Sequence, residues 1–240
     1  MAEDTRLGPS DVMSQRELDG LLARLLVLAI AWNLLGNLVF PGWSYVPVNL
    51  GVIVLALVLA RRRGLTWPEL GFDRSHVWRG LVIGLIAVAL IGAVVLLAGF
   101  VPFFDDIFEA ADSSDVDSDS IPQRFFTSLI RIPIGTALAE EVFFRSVALT
   151  ALIARLGMRW GVFASSVAFG LWHIAPAVEG ASGGVWSVVG STVGVVLFTT
   201  LAGLIFAGLR FWGRHVVAPI LTHSATNTFA YLAAIISASD

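Results

Sequence analysis

Residues 125–154 read FFTSLIRIPIGTALAEEVFFRSVALTALIA, and this stretch decides what kind of molecule the chain is. It is long and apolar enough to lie in a bilayer, yet Glu140, Glu141 and Arg145 fall within six residues of it. Each such group at the centre of a membrane helix costs on the order of 2.5–3.5 kcal/mol on insertion scales. A chain that keeps three of them in hydrocarbon uses them, as a reactive site or as an ion-pair network that locks helices. Two later apolar stretches carry His173 and the pair His223/Asn227.

The composition agrees with a membrane reading. The 240 residues are 57% hydrophobic and 14% charged, with a mean hydropathy of +0.83, whereas soluble domains are roughly 25% charged. All 15 basic residues are Arg. Cysteine is absent, which excludes disulfides, thiolate catalysis and Cys-based metal sites. No basic patch suits nucleic acid, because Arg61–Arg63 flank an apolar run, where basic residues serve topology. Residues 1–20 are polar and lead into the run 21–40 without a short apolar core and small-residue cleavage site. That run matches the ~20 residues needed to cross ~30 Å, so it reads as an uncleaved first helix.

Seven apolar segments follow one another: 21–40, 46–60, 80–101, 125–154, 161–175, 185–208 and 216–237. They are far longer than the ~10-residue alternating strands of a membrane barrel. The expected fold is therefore all-α, a polytopic transmembrane helix bundle of about seven helices, within a range of six to eight. The second and fifth segments are short, and the fourth has room for a break. Arg61, Arg62, Arg63, Arg74 and Arg79 lie in the second loop, Arg155 and Arg159 flank the fourth, and Arg210 and Arg214 lie in the sixth. The first and fifth loops have none, and the third is acidic, from Asp105 to Asp119. This alternation places the N-terminus and the even loops in the cytoplasm of a multi-pass protein of the cell membrane. The expected organisation is a cytoplasmic segment over 1–20, N-terminal membrane helices with an acidic external loop over 21–124, and a membrane core over 125–237 that carries the polar residues. Thr66-Trp67-Pro68-Glu69 has the spacing of a capping box, so a short surface helix near 67–78 is one reading and an ordinary loop the other. Gly80/Gly84 and Gly190/Gly194 have the spacing that lets helices approach closely. Asn33 and Asn37, four apart, suit hydrogen bonding between helices.

The polar residues divide by spacing. Glu141 and Arg145 are four apart, so they share a helix face and pair. Glu140 lies about 100° further round and is left as the candidate general base. Phe169 and His173 are four apart, so the ring buttresses the imidazole. His223 and Asn227 share one face, and two donors there suit an oxyanion site or an interhelical hydrogen-bond network.

Glu140-Glu141-Val142-Phe143-Phe144-Arg145, Phe169-Gly170-Leu171-Trp172-His173 and His223-Ser224-Ala225-Thr226-Asn227 together resemble the CAAX protease and bacteriocin-processing (CPBP, also called Abi) family of intramembrane proteases. That family shows Glu-Glu-x-x-x-Arg, Phe-x-x-x-His and His-x-x-x-Asn in this order, each on its own helix. The resemblance covers about 125–237 and implies a glutamate-dependent endopeptidase. It implies that Glu140 and His173 activate a water, that His223 and Asn227 hold the oxyanion, and that Glu141, Arg145 and Phe169 support them. The substrate implied is a peptide or membrane protein, with membrane lipids around it. No cofactor is called for. Members were long called metalloproteases, but the sequence has no His-Glu-x-x-His, so zinc is the second reading.

Other patterns compete. Gly180-Ala181-Ser182-Gly183 has the look of a rhomboid serine protease with His223 as base, or of a flexible loop. Asp115, Asp117 and Asp119 open like an EF-hand but lack its Gly, with Ser120 in that place; a solvated acidic loop is the other reading. At the level of function, the rivals are a proton-coupled transporter and a non-catalytic scaffold or immunity protein. The absence of an internal repeat counts against the transporter.

Overall fold

The computed structural model describes residues 13–98 and 120–237. Among these residues the chain is all-helical, with seven long helices and one short one. They are α1 (Gln15–Leu38), α2 (Tyr45–Arg62), α3 (Val77–Ala98), α4 (121–156), α5 (Met158–Trp172), α6 (Ile174–Glu179), α7 (Val185–Gly213) and α8 (Val217–Ser237). Five stretches are long and apolar enough to cross a membrane: Gln15–Gly36, Gly42–Arg62, Arg74–Val95, Met158–Glu179 and Val185–Gly213. The chain is thus a polytopic membrane bundle of the kind the sequence predicts. The other two long helices, α4 and α8, carry the Glu-Glu-Arg trio and the His223/Asn227 pair.

Local chemistry explains the helix ends. Ser14 starts α1 with a capping box, its hydroxyl accepting from the Glu17 N–H while Glu17 accepts from the Ser14 N–H at 2.9 Å. Gly157 at φ +78 separates α4 from α5, a left-handed conformation that glycine adopts without a Cβ penalty. The fourth helix, which has room for a break, is continuous. Over Thr127–Leu138 and Val142–Ala148 it is wound wide, with each bond one residue longer than in an α-helix. Pro133 lies inside the first wide stretch. Proline has no N–H and its ring clashes with an α-helical ladder, and wide turns are one way a helix absorbs such a residue.

Packing puts α4 in the middle. The buried core joins Leu21 and Trp32 of α1, Ala56 of α2, Phe143 of α4, Phe169 of α5 and Phe206 of α7. On the other side, α8 runs along α3 and the wide-wound stretch of α4, and α7 runs along α5. Outward faces keep Leu, Val and Phe exposed, as lipid contact requires, for example Leu90, Leu197 and Phe198. Exposed Trp residues lie at both ends of the bundle. Trp67, Trp78, Trp160 and Trp212 are beside the Arg-rich loops, and Trp43 and Trp186 are at the opposite end, where amphipathic rings suit the two interfaces.

The glycine pairs behave differently. A Cβ on Gly80 would stand 2.7 Å from Val217, and one on Gly84 would stand 2.9 Å from Leu221, so this pair sets the close approach of α3 and α8. Gly190 and Gly194 face open space, so they do not serve packing within the described chain.

The segment after α2 is not a surface helix. Thr66 and Glu69 do form the capping hydrogen bonds, at 2.6 Å from both the Thr66 N–H and its hydroxyl, but turns replace a helix over 67–71. The reason is burial. Leu65 and Leu70 are fully buried, and the chain folds back under the bundle. The Leu70 carbonyl accepts from the Ser146 hydroxyl at 2.6 Å, and the Glu69 carbonyl accepts from Thr150 at 3.1 Å and from Arg210 at 3.0 Å. Gly71, at φ +83, is packed directly on the Arg210 guanidinium, and its carbonyl accepts from the Val216 N–H. A side chain at φ > 0 costs about 1–2 kcal/mol, and here it also meets Arg210. Gly71→Ala is therefore expected to lower the thermal midpoint of the purified protein, while Gly64→Ala, in an exposed turn with the same sign of φ, lowers it less. Equal effects of the two in a detergent melting assay would remove the role given to the Arg210 contact. Asp73 closes the segment: Ser75 donates to its carboxylate from both N–H and hydroxyl, and these bonds with His76 hold the carboxyl down at about 2.

Candidate active site

The trio on α4 is buried where the bundle is densest. Glu140 is 5% exposed, Glu141 0% and Arg145 1%. Glu141 and Arg145 form an ion pair at 3.3 Å, as their spacing predicts. The guanidinium is otherwise surrounded by rings: it lies 3.9 Å from the Phe169 centroid, 5.4 Å from Phe206 and 5.9 Å from Phe144. Aromatic faces are the apolar surfaces that accept a cation, so the cage reduces the cost of a desolvated charge.

A second partner reaches Glu141 from α8. Its Oε1 is 2.9 Å from His223 Nδ1, so one carboxylate spans Arg145 and His223. With a carboxylate on one side, Nδ1 is the nitrogen that carries the proton. The other nitrogen, Nε2, is 3.2 Å from the Asn227 side-chain amide and 3.9 Å from Glu140 Oε2. The imidazole is stacked on Phe206 at 5.0 Å and meets the edge of Phe169 at 5.8 Å. Close backbone approach makes this possible. A Cβ on Gly170 would clash with Thr200 and stand 2.7 Å from the Val196 carbonyl, and one on Gly203 would stand 3.2 Å from Arg145 Nη2.

Glu140 points elsewhere, as its position round the helix requires. Its Oε1 accepts from the Trp172 indole N–H at 3.2 Å, and its Oε2 is buried with no hydrogen-bond partner among the described residues. It lines a cavity of about 220 Å³ together with His173, Trp172, Tyr45 and Asn49. His173 sits in the break between α5 and α6. Its Nδ1 is 2.8 Å from the Phe169 carbonyl, and its ring packs edge-on to Phe169 at 4.7 Å. Phe169 therefore touches both imidazoles and the guanidinium.

Six of the seven residues singled out by the sequence thus form one contiguous cluster, and His173 joins it through Phe169 and the shared cavity. Sequence reasoning missed the contribution of α1 and α2. Trp32 donates to Asn49 at 2.6 Å, Asn49 donates to the Gly135 carbonyl at 2.7 Å, and the Tyr45 and Thr136 hydroxyls are 2.9 Å apart. Asn49 was findable by the argument already applied to Asn33: an amide in an apolar run needs a partner. Asn33 donates to the Trp172 carbonyl at 2.9 Å, which bonds two helices as expected. The side chain of Asn37 and the Asp115–Asp119 pattern lie outside the described residues. Beside the polar cavity, an apolar groove of about 520 Å³ runs between α1, α4 and α5, and it shares Asn33 and Trp172 with that cavity.

The serine–histidine reading finds no support in this arrangement. Ser182 is exposed in the loop before α7, whereas His223 is buried with its Nδ1 on Glu141, so the two do not form a serine–histidine pair. No group of three or more His, Asp or Glu side chains among the described residues converges in the manner of a metal site.

Comparison with known proteins gives one match. Residues 122–229 match the family described as type II CAAX prenyl endopeptidase Rce1-like. No curated protein and no solved structure matches the chain. The matched residues run from the start of α4 into α8 and hold all three motifs, Glu140 to Arg145, Phe169 to His173 and His223 to Asn227. Residues 122–229 are thus similar to the Rce1-like CAAX endopeptidases, and multi-pass membrane helices surround them.

Proposed function

We propose that the chain is a glutamate-dependent endopeptidase of the cell membrane, with its N-terminus in the cytoplasm, that hydrolyses a peptide bond of a membrane-associated peptide or protein. The observation that carries this reading is the state of Glu140: a buried carboxylate whose Oε2 has no hydrogen-bond partner among the described residues, on the wall of a polar cavity shared with His173. In the proposed reaction Glu140 and His173 orient a water, and Glu140 takes its proton as the oxygen attacks the carbonyl carbon. The developing oxyanion is held by Asn227 and His223. Glu141 holds Nδ1 and so fixes the ring with Nε2 beside Asn227. As the C–N bond breaks, the proton returns from Glu140 or His173 to the leaving amine. The apolar groove beside Trp172 suits the apolar body of such a substrate.

The oxyanion assignment has its own test. Each donor is expected to act mainly in the transition state, so His223→Ala and Asn227→Ala should each lower kcat by roughly 10²–10³ with little change in KM. Their combined effect should be less than the product of the two. Steady-state cleavage of a quenched peptide by monodisperse mutants checks this, and near-normal kcat in folded His223→Ala would remove the role. The same preparation is expected to turn over without stoichiometric zinc. One tightly bound zinc found by elemental analysis, with activity lost on its removal and restored on its return, would establish the metal mechanism instead.

A further inference from the structure

The cavity at Glu140 continues in one direction. It shares Gly36, Tyr45 and Asn49 with a second polar cavity of about 290 Å³, so the two lie end to end. The outer one is walled by Phe40, Pro41, Gly42, Arg131 and Glu179, all exposed. Arg131 lies over the Tyr45 ring at 4.9 Å, and the Tyr45–Thr136 hydroxyl contact marks the neck between the chambers. The mouth is therefore polar, charged and formed by the α1–α2 loop, α6 and the wide-wound stretch of α4.

The other end of the bundle is closed. Below Arg145, Ser146 and Thr150 bond to the backbone of the buried segment 65–71, and Arg210 ties the same segment to α7. Leu65 and Leu70 fill the space there. The closed end is also the end with the Arg-rich loops, Arg61 to Arg63, Arg74, Arg79, Arg155, Arg159 and Arg214, whereas the loop 39–44 at the mouth has no Arg. Loops rich in Arg stay in the cytoplasm.

We infer that substrate reaches Glu140 from the non-cytoplasmic face, through the passage between Arg131 and Thr136. The substrate class is then a polypeptide segment already carried across the membrane, and the step that must supply it is polypeptide export. This rests on the proposed reading of Glu140 as the hydrolytic group and of the N-terminus as cytoplasmic.

The absence of cysteine allows a direct test that needs no turnover. Thr136→Cys at the neck and Val48→Cys in the outer chamber serve as probes, Trp43→Cys as a reporter for the mouth side, and Arg62→Cys as a reporter for the closed side. A charged, membrane-impermeant thiol reagent is applied to intact cells and to inverted membrane vesicles, with denatured protein as the control for reactivity. The expected result is labelling of both probes and of Trp43→Cys in intact cells, and of Arg62→Cys in inverted vesicles alone. Labelling of the probes from the Arg62 side, protection of both probes from either side, or labelling of Trp43→Cys in inverted vesicles alone would each overturn the inference. Loss of the hydrolytic reading would appear separately, as turnover retained in Glu140→Gln with the labelling pattern unchanged.

Discussion

Glu140→Gln is expected to lower peptide turnover by roughly 10²–10⁴-fold, the span that a positioned general base contributes, while the bundle stays folded. The substitution keeps the shape of the side chain and an oxygen to accept from Trp172 at the 3.2 Å position. It removes no close ion pair, because Arg145 is paired with Glu141 and His223 is 3.9 Å from Glu140. What it removes is the capacity to take a proton at Oε2. The measurement is kcat on a quenched peptide together with the thermal midpoint of the same preparation. Turnover comparable to wild type would end the glutamate mechanism, and a large fall in the midpoint would show that Glu140 holds the fold as well as the water.

Glu141→Gln should have the opposite balance, and it is the largest expected effect on stability. Arg145 is 1% exposed, and its one close ion pair is Glu141. Breaking a buried pair by removing one partner typically costs about 3–5 kcal/mol, because the remaining charge is uncompensated. The Phe169 face at 3.9 Å offsets part of this. A second effect follows from His223, whose Nδ1 is held by the same carboxylate, so kcat should fall too. The double variant Glu141→Gln/Arg145→Met separates the two. Removing the stranded cation is expected to recover stability, while activity stays low because His223 is still unanchored. Recovery of activity along with stability would confine Glu141 to the ion pair.

Much of this was legible in the sequence because membranes make polar residues informative. Hydrophobic runs gave the helices, and the cost of burying Glu140, Glu141 and Arg145 gave the centre of the site. Helical spacing alone separated the paired glutamate from the one that faces the cavity. Spacing within one helix says nothing about contacts between helices, which is why the bond from Glu141 to His223 and the ring cage around Arg145 were not foreseen. The segment 67–78 left a surface helix and a loop both open for a related reason. Its capping residues are real, but Leu65 and Leu70 have somewhere to be buried, and tertiary packing overrides a local helix signal. The length of α4 left room for a break, and the wide winding around Pro133 accommodates the proline without one. The contribution of Tyr45 and Asn49 was hidden because a single hydroxyl or amide at a helix end carries little signal until its partner is known.

The cage around Arg145 also constrains how the protein is made. Its cation sits on α4, its counterion is four residues away, and its aromatic walls come from Phe169 on α5 and Phe206 on α7. The partner of Glu141 on α8 is made later still. At about 5–20 residues per second of synthesis, seconds pass between the emergence of Arg145 and that of the rings that enclose it. During that interval α4 is a segment with three ionisable groups and no finished environment. A nascent chain halted before α7 would therefore hold an α4 whose Arg145 lacks its Phe206 wall and whose Glu141 lacks its partner on α8.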